Sequence, residues 1–127
     1  MNVSLDLFHE IVTTLQPQGG ALTGENRREP RVRLGGAIKL IPAPDALTEP
    51  VEVQLRDLSA SGIGFLYPEK MQLDGQVVAL LPTRSGVPVA ILCTIAYYEP
   101  LGENLFGIGA KFTAIVDLPE TARRLAS

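Results

Sequence analysis

Two stretches of the chain carry side chains whose types and spacing suit ligand chemistry. The first, Arg27-Arg28-Glu29-Pro30-Arg31-Val32-Arg33, holds half of the arginines. The second is Asp57-Leu58-Ser59-Ala60-Ser61-Gly62. Pro30 disfavours a helical Glu29, so the arginine segment reads as extended rather than as a helix face. Arg27 and Arg31 then stand ~13 Å apart, at ~3.3 Å per residue. Two guanidinium groups over that span can grip different parts of one dinucleotide-sized ligand. A guanidinium binds phosphate bidentately, pairs with the O6/N7 edge of guanine and stacks on a base. Asp57 can accept the ring N–H and exocyclic amine of a guanine, or cap a turn. Ser59 can donate to a phosphate or a base carbonyl, and Gly62 lets the backbone turn tightly or approach a ligand. Together they suit a small, doubly anionic, purine-bearing ligand. Each has a plainer reading when taken alone. A basic cluster is commonly a solvated run, and Asp-x-Ser-x-x-Gly is also an Asx-turn between strands.

The elements that must position these residues are mostly strands. Leu5, Phe8, Val12 and Leu15 recur at helical spacing, so residues 4–15 form a short amphipathic helix capped by Ser4. Pro17 and Gly19-Gly20 end it. Residues 17–30 read as a linker and loop. Alternation over Val32, Leu34, Ile38 and Leu40 gives a first strand, interrupted at Gly35-Gly36 by a bulge or a close approach. Val51, Val53 and Leu55 alternate with Glu52, Gln54 and Arg56 in a second, and Asp57–Gly62 is a turn. Four more strands follow, over Ile63–Tyr67, Val77–Leu81, Val87–Tyr98 and Leu105–Phe112, joined by the turns at Asp74-Gly75, Ser85-Gly86 and Gly102. Six strands with no helical crossovers predict an all-β antiparallel barrel or sandwich. Asp117, Pro119 and Glu120 start a C-terminal helix over 118–125. The domain division expected is 1–25, a helix and flexible linker, and 26–127, the barrel with its C-terminal helix.

Composition narrows the function. The chain has 127 residues, a formal net charge of −3, and 46% hydrophobic residues. That is one domain with a real core. Its acidity argues against DNA and other polyanions as general partners. Cys93 is the only cysteine, so a disulfide or multi-cysteine zinc site is excluded within the chain. In a strand it reads as a buried small hydrophobe. His9, the only histidine, lies on the N-terminal helix as a surface residue, far from every serine turn. No nucleophile–base pair can be assembled from spacing, so an enzyme is not expected. No cofactor or metal is expected either. Gly62-Ile63-Gly64 and Gly107-Ile108-Gly109 lack the lysine and helix of a phosphate loop and read as close-packed strand glycines. Val87–Tyr98 is too short to span a bilayer, and no positive n-region opens the chain. A cytoplasmic protein is expected.

The two motifs in this order and separation resemble the PilZ domain family, whose members bind the bacterial second messenger cyclic di-GMP. The family signature is an Arg-x-x-x-Arg segment followed by (Asp/Asn)-x-Ser-x-x-Gly, here Arg27–Arg31 and Asp57–Gly62. Phe106–Phe112 resembles its closing strand, and the likeness spans roughly residues 26–116. It implies a six-stranded antiparallel barrel with a C-terminal helix. It also implies a non-enzymatic cyclic di-GMP receptor in which Arg27 and Arg31 clamp phosphates and guanine edges, and Arg28 assists. Asp57 and Ser59 would read a guanine, with Gly62 making room. Asn26 stands where many members carry a further arginine, and binding of one ligand or two stays open. Ligand would draw the arginine loop onto the barrel and move the N-terminal helix, which an unidentified protein partner reads. The apolar stripe of that helix packs on its own barrel or on another subunit, so a homodimer is left open. The alternatives are a barrel of this fold that binds no nucleotide and serves as a protein-interaction adaptor, and a weak RNA binder.

Overall fold

The computed structural model describes residues 1–15, 22–23, 31–33, 36–42 and 49–116. The elements are α1 (Leu5–Leu15), β1 (Leu22–Thr23), β2 (Arg31–Arg33), β3 (Ala37–Ile41), β4 (Val51–Ser59), β5 (Gly62–Tyr67), β6 (Gln76–Leu81), β7 (Val89–Gly102) and β8 (Leu105–Val116). Six strands pair antiparallel in the order β4-β3-β6-β7-β8-β5, and a β4–β5 pairing closes the ring. This is the expected six-stranded barrel. The C-terminal helix expected over 118–125 lies outside the described residues.

Alternation places the core. Val53 and Leu55 of β4, Ile63 and Phe65 of β5, and Ile91, Cys93 and Ile95 of β7 point inward and are buried together. From Val77 to Leu81 β6 is an unbroken apolar run because both of its faces are covered. Val77, Ala79 and Leu81 join the main core, while Val78 and Leu80 join Ile41 and Ala90 in a second cluster on the other face. The turns use the conformations their residues favour. Asp74 adopts φ 64° ahead of Gly75, and Gly86 adopts φ 84° with its N–H on the Thr83 carbonyl at 3.1 Å.

Three expectations need correction. The single strand expected over Val32–Leu40 is two strands laid end to end on β4. β3 pairs with Val51–Gln54 and β2 with Asp57–Ser59. Between them the Leu55 N–H donates to the Gly36 carbonyl at 2.8 Å. The stretch expected as loop, 17–30, contains β1, which pairs with β2. Asp57 and Ser59 belong to β4, and only Ala60 and Ser61 turn the chain. Periodicity missed these because two- and three-residue strands are held by their neighbours, not by their own pattern.

Ser4 caps α1 as expected, its Oγ accepting the Leu7 N–H at 3.1 Å. The buried face differs from the expected stripe. Phe8 and Ile11 are buried in the barrel core, with Leu7, Val12 and Leu15 packed against it, whereas Leu5 is 60% exposed. The helix therefore packs on its own barrel. No helix among the described residues is long and apolar enough to cross a membrane. Truncation of Phe8 to alanine is expected to lower the unfolding free energy by about 3–5 kcal/mol, read from denaturant midpoints. A change near zero would mean that α1 does not belong to the barrel's cooperative unit.

Candidate functional site

The site begins with a change of phase in β4. Val53 and Leu55 are inward, so strict alternation would bury residue 57. The pairing with β5 instead shifts register between Leu55 and Asp57. Leu58 becomes the next inward residue, 1% exposed, and Asp57 is turned to the outer face. A bulge is the ordinary device for re-aiming a strand residue in this way.

Asp57 pairs with Gly64 on β5, Gly64 with Gly109 on β8, and Gly109 with Tyr97 on β7. A Cβ on Gly64 would stand 2.8 Å from Asp57 Oδ1, and one on Gly109 would fall within the Tyr97 ring. The carboxylate and the ring therefore occupy the space that the two glycines leave empty. Gly62 pairs with Lys111, and a Cβ there would collide with the Ala110 carbonyl. At Gly107 an added Cβ would meet the Arg56 guanidinium, so all four strand glycines expected to be close-packed are so.

Ser59 is buried, and its hydroxyl serves its own turn. Its Oγ accepts the Ser61 N–H at 3.3 Å and lies 3.3 Å from Ser61 Oγ. Asp57, Ser59, Gly62, Tyr97, Gly109 and Lys111 line a cavity of about 180 Å³. That is below the ~300 Å³ typical of enclosing pockets, so it suits part of a ligand lying on the surface. A larger cavity of about 380 Å³ is lined by Ala37, Ile38, Leu80, Pro82 and Pro88, with only Lys39 and Glu52 charged. It contains none of the motif residues.

The arginine motif meets the serine motif through backbone pairing. Arg31 is the register partner of Ser59, and Arg33 of Asp57. Arg31, Asp57, Ser59 and Gly62 are thus brought to one patch of the sheet. Arg27 and Arg28 lie outside the described residues. The turn is also tied to the N-terminus and to β8. Val3 N–H donates to the Ala60 carbonyl at 2.7 Å, and Phe112 N–H to the Ser61 carbonyl at 2.8 Å. Tyr97 and Lys111 were missed by the sequence reading. The signal for Tyr97 was available, because the inward series Ile91, Cys93, Ile95 would put it in the core. Register shifts between Ile95 and Tyr97, and the ring is 49% exposed.

A model of the PilZ domain family matches residues 25–125. The chain belongs to the PilZ domain family. The solved K. pneumonia MrkH–c-di-GMP complex is similar to this PilZ domain, with a TM-score of 0.50 and 18% identity. The likeness covers 79% of this chain and 48% of the MrkH chain, so the PilZ domain spans about half of that protein. At this identity the likeness shows the fold. No curated protein matches the chain.

Nucleophilic chemistry has little to work with in the described part of the PilZ domain. Burial pushes the Cys93 thiol up to about 12, against a smaller lowering by its hydrogen bond with the Ala79 backbone. Its Sγ also lies 3.4 Å from the Ile91 carbonyl. Among the described residues no cluster could hold a metal ion. The folded value lies above the ordinary value of 9.0. Above pH 9 the unfolded chain therefore loses a proton that the folded chain keeps, and stability falls as pH rises toward 12. At pH 8 iodoacetamide is expected to label Cys93 no faster than the protein unfolds. Labelling of the native protein at the rate of a free thiol would contradict the burial.

Proposed function

We propose that this PilZ domain is a non-enzymatic receptor for cyclic di-GMP in the bacterial cytoplasm, and that its ligand-bound state is read by a protein partner. The observation that carries the proposal is the β2–β4 register, in which Arg31 stands opposite Ser59 and Arg33 opposite Asp57. Two motifs of complementary chemistry, distant in sequence, become adjacent strands. Family membership supports the reading, as does the MrkH structure, which is a complex with c-di-GMP.

In this proposal Arg27 and Arg31 hold phosphates and guanine edges, and Arg28 adds a further contact. Asp57 accepts the guanine ring N–H and exocyclic amine. Gly62 keeps the surface low, and Ser59 shapes the turn and offers its hydroxyl. The arginine segment closes onto the barrel when ligand neutralises its charge. The coupling to a partner runs through the Val3–Ala60 hydrogen bond, because anything that moves the Ala60–Ser61 turn pulls on the segment that leads into α1. DNA is not a partner in this reading, given the net charge of −3. The protein acts without inserting into a membrane.

Calorimetric titration with cyclic di-GMP tests this. Saturable heat is expected for the wild type, and its stoichiometry distinguishes one bound ligand from two. Arg31→Ala and Asp57→Ala are each expected to weaken binding about ten- to hundredfold, the range for losing a hydrogen bond to a charged group. Absence of saturable heat, or an Arg31→Ala variant that binds as the wild type does, would overturn the receptor reading.

A further inference from the structure

We infer that Arg56 reads the O6/N7 edge of the guanine whose ring N–H and exocyclic amine Asp57 accepts, so that two consecutive residues recognise one base. This deepens the receptor reading and rests on it. Arg56 stands one position before the second motif and belongs to neither motif.

Consecutive residues of a strand ordinarily face opposite ways. Here the register of β4 against β5 shifts between Leu55 and Asp57, and the side chains of 56 and 57 both reach the outer face. The Asp57 carboxylate lies over Gly64, and the Arg56 Nη1 lies over Gly107. Ile63, Phe65 and Ile108 point into the core, so both glycines face outward. Gly64 pairs with Gly109 and Leu66 with Gly107. Gly64 and Gly107 are therefore diagonal neighbours across β5 and β8, ~7–8 Å apart.

A carboxylate and a guanidinium at that separation fit two adjoining edges of one guanine held in plane between them. Asp57 accepts from the ring N–H and the exocyclic amine, while the guanidinium donates bidentately to O6 and N7. An adenine would turn an acceptor to the carboxylate and an amine donor to the guanidinium, so both groups select against it. Arg56 is held for this task. Its Nη1 donates to Glu99 Oε1 at 3.2 Å, the one ion pair among the described residues. The guanidinium thereby passes over the adjacent Asp57 and keeps most of its five N–H donors for a ligand. A tie between β4 and β7 is also a purely structural use of the pair, and a minor one at 39% and 52% side-chain exposure. That use needs the carboxylate at 99 as much as the guanidinium at 56, whereas base reading needs the guanidinium.

The full chain would be titrated by calorimetry as wild type, Arg56→Ala and Glu99→Gln, with thermal unfolding of each recorded. The ligands are cyclic di-GMP and its analogue built on 7-deazaguanine, which lacks N7. Loss of a bidentate guanine contact is expected to weaken Arg56→Ala binding of cyclic di-GMP about 5- to 150-fold. Glu99→Gln is expected to bind within about fivefold of the wild type, the most that such a surface pair is worth. The analogue is expected to cost the wild type more affinity than it costs Arg56→Ala, which has already lost the donor to N7. Given a wild type that binds, each of four results overturns the inference alone. They are unchanged affinity in Arg56→Ala, a loss in Glu99→Gln as large as in Arg56→Ala, an equal cost of the analogue in wild type and Arg56→Ala, and a folded Arg56→Ala that gives no heat, which would make Arg56 a support for the whole site. If Arg56→Ala does not fold, Arg56→Met, which keeps an unbranched stem, takes its place in every comparison. A wild type that gives no saturable heat overturns the receptor reading and this inference together.

Discussion

The phase of strand β4 is the constraint on which the site depends. A half-buried strand has period two, so one residue too few or too many exchanges its faces. Val53, Leu55 and Leu58 all enter the core, although 55 and 58 are three apart. The extra residue is absorbed between Leu55 and Asp57, where the pairing with β5 shifts. Burying an unpaired carboxylate in this core would be costly. The bulge avoids that cost and delivers Asp57 to the outer surface beside Gly64. Arg56, at the irregularity, is exposed and meets Glu99 at 3.2 Å. Such a surface pair contributes little to stability.

The rest of the site is assembled around that strand. One edge of β4 carries two short strands in series, β3 against its first half and β2 against its second. The other edge carries β5. The turn after Ser59 has its own fixed points. Ser59 Oγ holds it from within, Phe112 on β8 fixes the Ser61 carbonyl, and Val3 fixes the Ala60 carbonyl. A ligand at this turn would touch a part of the chain that is tied both to the barrel and to the N-terminal segment. Phe8 and Ile11 then extend the connection into the core, since α1 shares one apolar cluster with the strands. The helix is a lid on the core more than an appendage to it.

Much of this was legible in the sequence because the chemistry is local. Period-two runs, with one short apolar run at Val77–Leu81, named the barrel strands, since alternation follows from one dry face and one wet face and a continuous apolar run from two dry ones. Ser4 as a cap, Asp74-Gly75 and Gly86 as turns, and Cys93 as a buried thiol follow from what each residue type can do. The pairing of an arginine segment with Asp-x-Ser-x-x-Gly marked the PilZ family. Even the β4 bulge left a trace, because Asp57 falls on an inward position and Leu58 on an outward one.

Tertiary structure decided what depends on pairing partners. β1 and β2 are too short to show a period and exist because β4 offers an edge to β2, and β2 one to β1. Leu5 belongs to the helical stripe by spacing, but the barrel core accepts the face centred on Phe8 and Ile11 instead. Gly64, Gly109 and Tyr97 sit on three different strands, and no local pattern links them. They share a row only because the closed ring sets β5 beside β8 and β8 beside β7. The sequence alone thus determined which side chains the two motifs offer to the proposed site. Barrel closure determined which of them stand side by side, since register between strands distant in the chain is set by the whole sheet.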